Sequence, residues 1–238
     1  MRAHCIVGAT GTGKTARATA LARQTGAPVI VLDRFQVFED LGTGTGRPLP
    51  HEIAGTTRLY LARRYMMDGE FSAEQATLAF LRTVGALVQD HELILLEGGS
   101  MALHERLMKE ELLGASGVTV EQTRWGSLTS YEHTLRRRAQ AMLKSGGGRR
   151  SMIEEVARGW DDPRMRAFLA TIAGYDAVIT HCEQSGMEPA ELAGAPVDAM
   201  LVEEVVLSHL RYAARQTTAL NRLFGGASRD AEGPSCTA

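Results

Sequence analysis

The sequence predicts an α/β fold: parallel strands wrapped by helices, followed by a smaller, mainly helical C-terminal part. Three observations lead there. A short apolar run over residues 3–7 passes straight into a glycine-rich turn and then an alanine-rich helix. A second apolar run, PVIVL over 28–32, follows that helix. Strand, loop, helix, strand is a βαβ unit and implies a parallel sheet. From Tyr131 onward helical patterning takes over, interrupted at 145–148 and 161–163.

The elements follow in order. The first helix runs from about Lys14 to Gln24, and Gly26 and Pro28 close it in the usual C-terminal manner. Residues 40–50, with Gly42, Gly44, Gly46, Pro48 and Pro50, read as loop. A helix covers about 72–89, and 93–96 is a third buried strand. Glu97-Gly98-Gly99-Ser100 closes that strand, with Ser100 placed to cap a helix reaching about Leu112. Residues 118–120 suggest another strand, and the last long helix spans about 197–223. This gives an α/β domain over 1–140, a helical part over 141–224, and a polar tail over 225–238 expected to be disordered. The boundary lies between Tyr131 and Ser151.

Bulk properties narrow the function classes. The chain has 238 residues, 44% of them hydrophobic, and a formal net charge of −2. It lacks the overall basic bias that nucleic-acid binding usually leaves. No apolar run approaches the length of a membrane span. Cys5, Cys182 and Cys236 are far apart, with no metal-ligand spacing, and fit reduced thiols in a cytoplasmic protein.

Residues 8–15, GATGTGKT, match the phosphate-binding signature G-x-x-x-x-G-K-[ST] in full, between a strand and a helix. The core is therefore P-loop NTPase-like. Gly11, Thr12 and Gly13 let backbone N–H groups curl around phosphate oxygens at a helix N-terminus. Lys14 neutralises phosphate charge, and the Thr15 hydroxyl is the expected Mg²⁺ ligand. Asp33 stands at the carboxyl end of the second strand, where open α/β sheets place ligands. It is either a proton acceptor or a structural partner, as an N-cap or a mate for Arg34. Glu97 ends the third strand and either supports magnesium through water or belongs to a structural turn. Gly98 and Gly99 would let a ligand approach the backbone. Met66, Met67, Met101 and Met108 read as core or groove lining.

Further motifs carry a specific resemblance. LDR at 32–34, GTGRP at 44–48, GTTRLYL at 55–61 and LEGGS at 96–100 resemble the bacterial adenylate isopentenyltransferases that make cytokinins. The resemblance continues through RAQAML at 138–143, WDDPR at 160–164, Gly174-Tyr175 and ARQ at 214–216, and covers about residues 3–220. The related tRNA dimethylallyltransferases share the loop and a Tyr-Ala-x-Arg-Gln segment like that at 212–216.

The resemblance implies transfer of a dimethylallyl group from dimethylallyl diphosphate to N6 of AMP, ADP or ATP, with Mg²⁺ and without a nucleic-acid or membrane partner. The loop would hold the leaving diphosphate, with Thr10 close to the bridging oxygen. Asp33 would be the general base toward the amine. Thr45, Gly46, Arg47, Ser100 and Gly174 would lie toward the adenine nucleotide. Arg138, Tyr212 and Arg215 would grip diphosphate. Helical spacing alone separates Arg137 from the apolar stripe but not Arg136 from Arg138; the resemblance picks Arg138. Arg211 and Arg215 share a helix face, and Tyr212 either leans on substrate or packs. Relatives that favour a hydroxylated donor carry Asp and His where this chain has Ala173 and Ala213, so dimethylallyl diphosphate is the expected donor. Two alternatives remain on sequence: a tRNA prenyltransferase, for whose anticodon arm the chain has no spare segment, and a small-molecule kinase. A nucleotide-binding switch fits least, for want of a guanine-specificity motif.

Overall fold

The computed structural model describes residues 1–114, 117–146 and 148–225. Five parallel strands form one sheet in the order β3-β2-β4-β1-β5: β1 Arg2–Gly8, β2 Val29–Val31, β3 Arg58–Tyr60, β4 Leu93–Gly98 and β5 Val118–Thr123. In the centre, Cys5 pairs with Leu96 and Val120, and Ile30 also faces Leu96. These strands read as unbroken apolar runs because helices cover both faces of a parallel sheet.

The helices are α1 Lys14–Thr25, α2 Ala73–Leu87, α3 Met101–Lys109, α4 Leu128–Met142, α5 Met152–Gly159, α6 Pro163–Leu169, α7 Tyr175–Ser185, α8 Pro189–Gly194 and α9 Ala199–Phe224. Gly26 ends α1 in the left-handed conformation at φ 70°, and its N–H bonds the Ala22 carbonyl. Ser72 and Ser151 open α2 and α5 with capping boxes closed by Gln75 and Glu154. Asp162 caps α6 ahead of Pro163 at its first position.

The element order agrees with the sequence reading, with two differences. β3 was not anticipated: it has three half-buried residues and opens on an arginine, so it carries no apolar signature. The helical part is also more divided than expected, with additional breaks after α6, α7 and α8. The tail beyond Gly225 and Cys236 lie outside the described residues.

The main core runs without interruption from β1 and β4 through Leu103 and Leu107 of α3 to Leu135, Val205 and Leu220 of α4 and α9. Helix α9 packs against α3, α4, α7 and β1, which brings the end of the chain against its beginning. A smaller cluster of Ile6, Ala18, Ala22, Val29 and Leu95 seats α1 on the opposite face.

Candidate active site

The carboxyl ends of β1, β2 and β4 open into a cavity of about 410 Å³. Gly8 leaves β1 and begins the loop, and Gly11 and Gly13 take φ of 74° and 86°. These are left-handed values that glycine adopts without strain. Gly11 also lies beneath α4: a β-carbon there would come within 3.1 Å of Leu135 and 3.5 Å of Tyr131.

The Thr10 peptide is held on both sides. Its N–H donates to Gln216 Oε1 of α9 at 2.8 Å, and its carbonyl accepts the Tyr131 hydroxyl of α4 at 2.6 Å. Trp125 stacks on Tyr131 with centroids 4.5 Å apart. Gln216 is only 3% exposed. Its amide nitrogen donates to the Gly99 carbonyl at 2.7 Å, tying the phosphate loop to the end of β4.

Lys14 Nζ donates to the Ala9 carbonyl at 2.8 Å. Burial pushes its pKa down, while the charges of Glu97 and Asp33 oppose that shift. The Thr15 hydroxyl donates to Glu97 Oε1 at 3.3 Å. Glu97 Oε2 forms an ion pair with Arg58 of β3, both side chains being 2% exposed. Glu97 is thus the charge partner of a buried arginine as well as the partner of Thr15. Gly98 is required by packing: a β-carbon would press on the Leu32 backbone. Gly99 sits against Gly8 O and Gln216. The close approaches at these two glycines are therefore made by the protein's own backbone and Gln216.

Asp33 Oδ1 accepts the N–H groups of Phe35 and Gln36 at 2.8 and 3.2 Å, and Oδ2 has no hydrogen-bond partner among the described residues. Its neighbour Arg34 turns away to Glu70 and the Phe71 carbonyl. Burial raises the Asp33 pKa; the two backbone N–H bonds oppose this, Glu97 adds to it and Lys14 reduces it. One oxygen is fixed by two loop N–H groups while the other has no partner among the described residues; Asp33 neither caps a helix nor pairs with Arg34. The free oxygen is suited to accepting a proton.

The 43–46 loop is carried to the cavity by a buried carboxylate. Glu155 of α5 accepts the N–H groups of Thr43 and Gly44 at 2.8 and 2.9 Å and the Tyr175 hydroxyl at 2.6 Å. Gly44 is flush against the Tyr175 ring, with no room for a β-carbon. The Thr45 hydroxyl donates to the Leu41 carbonyl at 2.6 Å, and Thr45 lines the cavity. Gly46, at φ 67°, lies so close to the Arg138 guanidinium that a side chain would displace it.

Among the two arginines that spacing left unresolved, Arg138 enters the cavity and Arg136 pairs with Glu203 at the surface. Arg138 is desolvated, which pulls its pKa down, and its Nε has no hydrogen-bond partner among the described residues. Tyr212 also lines the cavity, and burial raises its hydroxyl pKa, with Asp33 adding to the rise.

Thr10, Gly11, Gly13, Lys14, Thr15, Asp33, Thr45, Gly46, Arg138 and Tyr212 therefore share one cavity. Five other expected residues do not line it. Thr12 turns its hydroxyl to the Ala9 carbonyl and Thr123 of β5. Ser100 occupies the N-cap position of α3 without a side-chain cap bond, and its carbonyl receives the His104 imidazole. Gly174 opens α7 and packs against His209 and Met152. Arg47 stacks over Tyr60 at 3.9 Å in an adjoining trough. Arg215 is exposed beside Tyr212, because the α9 face that meets the loop carries its neighbour Gln216.

Gln216 and His209 are among the cavity residues that sequence reasoning missed. His209 Nδ1 bonds the Val205 carbonyl at 2.9 Å, and the ring lies on the cavity wall near Ala173. Burial pulls its pKa down, favouring the neutral ring. Ala173 lines the cavity, whereas Ala213 is fully buried in the core. Of the two alanines on which the donor expectation rests, only Ala173 therefore faces the cavity.

The isopentenyl transferase family model matches residues 1–229. The chain belongs to that family. Among its curated relatives, an adenylate dimethylallyltransferase of Agrobacterium vitis is 34% identical and covers 98% of both chains. One from Ralstonia nicotianae is 32% identical over 91% of this chain and 92% of its own length. Among solved structures, the tRNA isopentenylpyrophosphate transferase of Bacillus halodurans aligns with a TM-score of 0.67 at 17% identity. It covers 91% of this isopentenyl transferase chain and 86% of that protein. This last likeness concerns the fold.

Proposed function

We propose that this chain transfers a dimethylallyl group from dimethylallyl diphosphate to N6 of an adenine nucleotide, releasing diphosphate. One observation carries the reading: Lys14 on the phosphate loop and the free Oδ2 of Asp33 share one cavity. Cleavage of an allylic C–O bond places growing negative charge on diphosphate oxygens. The loop N–H groups, Lys14 and the desolvated Arg138 would stabilise that charge where it develops. The exocyclic amine is a weak nucleophile because its lone pair is delocalised into the ring. Asp33 Oδ2 would accept its proton, and the raised pKa makes that carboxylate a better base. The Thr45 oxygen would orient the amine. The enclosing helices α4 and α9 would keep water from the allylic centre.

The donor set suits Mg²⁺. This ion takes one or two protein oxygens and keeps the rest of its shell for water and phosphate. Thr15 Oγ1 and Glu97 Oε1 lie together at the loop. Among the described residues no cluster of three His, Cys, Asp or Glu could form an all-protein cage. Bound there, the ion would neutralise charge on the leaving group.

Relatives named adenylate dimethylallyltransferase, and a formal net charge of −2, favour a free nucleotide over tRNA as the acceptor. No helix among the described residues is long and apolar enough to cross a membrane, in keeping with a cytoplasmic enzyme.

The test is to incubate the protein with Mg²⁺, AMP and dimethylallyl diphosphate and follow product mass and diphosphate release. A product heavier than AMP by one prenyl group is expected. Asp33→Asn should lower kcat by about 10²–10⁴-fold while diphosphate still binds. Activity should also fall as pH drops through the raised Asp33 pKa, since the protonated acid cannot accept a proton. Phosphoryl transfer from ATP, or prenylation of unmodified tRNA alone, would refute the reading.

A further inference from the structure

Three residues beyond Asp33 stands a second polar side chain that the fold leaves unsatisfied. Gln36 lines the same cavity as Asp33 and Lys14 and is 8% exposed. Its side-chain amide makes no hydrogen bond among the described residues; Oε1 is buried, so Nε2 is the end open to the cavity. Buried polar groups are nearly always paired, and leaving one unpaired is destabilising. An unpaired amide in the wall of a binding cavity therefore calls for a partner that arrives with a ligand.

The turn that carries Gln36 is anchored at both ends. The Gln36 backbone N–H donates to Asp33 Oδ1 at 3.2 Å. Arg34 points away, to Glu70 and the Phe71 carbonyl. Just downstream, Val37 and Phe38 are fully buried. The Val37 carbonyl accepts the Arg64 N–H at 3.0 Å, and the Phe38 ring packs on Phe168 with centroids 5.1 Å apart. Asp33 and Gln36 thus reach the cavity from one fixed turn at the end of β2.

We infer that Gln36 is a specificity-determining residue that reads the acceptor base: its amide donates to the ring nitrogen beside C6, N1 or N7, while Asp33 Oδ2 faces the N6 amine. The inference rests on the proposed transfer to adenine N6. Adenine has a bare acceptor nitrogen on each side of C6, and an amide side chain is a known match for that edge. Asp33 Oδ2 and the Thr45 oxygen, whose proton is committed to Leu41, are acceptors suited to the two amine N–H groups. Lys14 and Arg138 are cations suited to diphosphate. Gln36 adds an uncharged donor on the Asp33 side. A 6-oxopurine would set its carbonyl against Asp33 Oδ2, acceptor to acceptor, and so be excluded. Donation to the ring nitrogen also draws electron density from the ring, which makes the amine proton more acidic toward Asp33.

The test pairs ligand analogues with one variant. AMP, 1-deaza-AMP and 7-deaza-AMP, each analogue lacking one of the two ring nitrogens, are titrated by calorimetry into protein whose phosphate loop is saturated with inorganic diphosphate. The same three are compared as acceptors through KM. In the wild type one analogue should bind about 3–10-fold more weakly than AMP. In Gln36→Met that difference should vanish. Methionine removes the unpaired amide at similar volume, so Tm should stay level or rise. Wild-type binding indifferent to both analogues, or a penalty that persists in Gln36→Met, overturns the inference. So does a Tm lowered by more than about 4 °C, the mark of an amide bonded within the protein. If transfer fails but the calorimetric penalty is present and disappears in the variant, base reading by Gln36 stands and only the reaction is wrong. If transfer proceeds and the variant discriminates like the wild type, the reaction stands and this inference falls.

Discussion

The buried pair Arg58–Glu97 offers the sharpest test of how the site is held. Both side chains are 2% exposed, and Arg58 Nε and Nη1 have no hydrogen-bond partner among the described residues. Replacing Arg58 with methionine leaves Glu97 charged, buried and bonded only to the Thr15 hydroxyl. Breaking a buried pair from one side costs about 3–5 kcal/mol. For a domain of this size each kcal/mol moves the midpoint by roughly 2–4 °C, so Tm should fall by about 6–20 °C. The double variant Arg58→Met/Glu97→Gln removes both charges and the two orphaned donors together. It should recover most of that loss and could exceed the wild type by about 1–4 kcal/mol. Thermal and urea unfolding at neutral pH, without substrate, measure both variants. If Arg58→Met stays within about 1 kcal/mol of wild type, or the double variant is no more stable than the single, desolvation does not dominate the energetics of this pair.

Three further outcomes are expected. His104 is fully buried and its pKa is pushed down to about 4 from 6.5. The unfolded chain therefore binds this proton first as pH falls. Stability from this group is complete above pH 6.5 and should drop by roughly 3 kcal/mol between pH 6.5 and 4; His104→Leu should flatten that slope in unfolding titrations. Gln216→Ala strands the Thr10 N–H and the Gly99 carbonyl, costing about 1–3 kcal/mol. It should raise the donor KM, and Gln216→Glu, which keeps an acceptor for Thr10 but loses the donor to Gly99, should restore binding only in part. For donor choice, His209→Leu should strengthen the preference for dimethylallyl diphosphate over its 4-hydroxy analogue, by up to about 10². Competition assays scored by product mass read this directly, and an unchanged ratio would remove His209 from donor selection.

The phosphate loop, the first two strands and Asp33 were legible because their signals are local: an eight-residue signature, apolar runs and a strand end. What could not be read depends on partners far away in sequence. Glu155 holds Thr43 and Gly44 from 112 and 111 residues downstream, and no short pattern announces it. Arg215 and Gln216 are adjacent, so their assignment turned on the rotation of α9, which its packing against α3, α4 and β1 fixes. Arg136 and Arg138 posed the same difficulty, and there the resemblance selected the residue that enters the cavity. β3 was missed because its opening residue is a buried arginine, whose presence makes sense only once Glu97 is beside it.

The Thr10 peptide is pinned by residues 121 and 206 positions downstream. During synthesis the signature motif therefore leaves the ribosome long before the groups that fix its shape. A nascent or prematurely terminated chain would own the motif but not the finished receptacle. Docking of α9 is what supplies the Gln216 bonds to the Thr10 N–H and the Gly99 carbonyl.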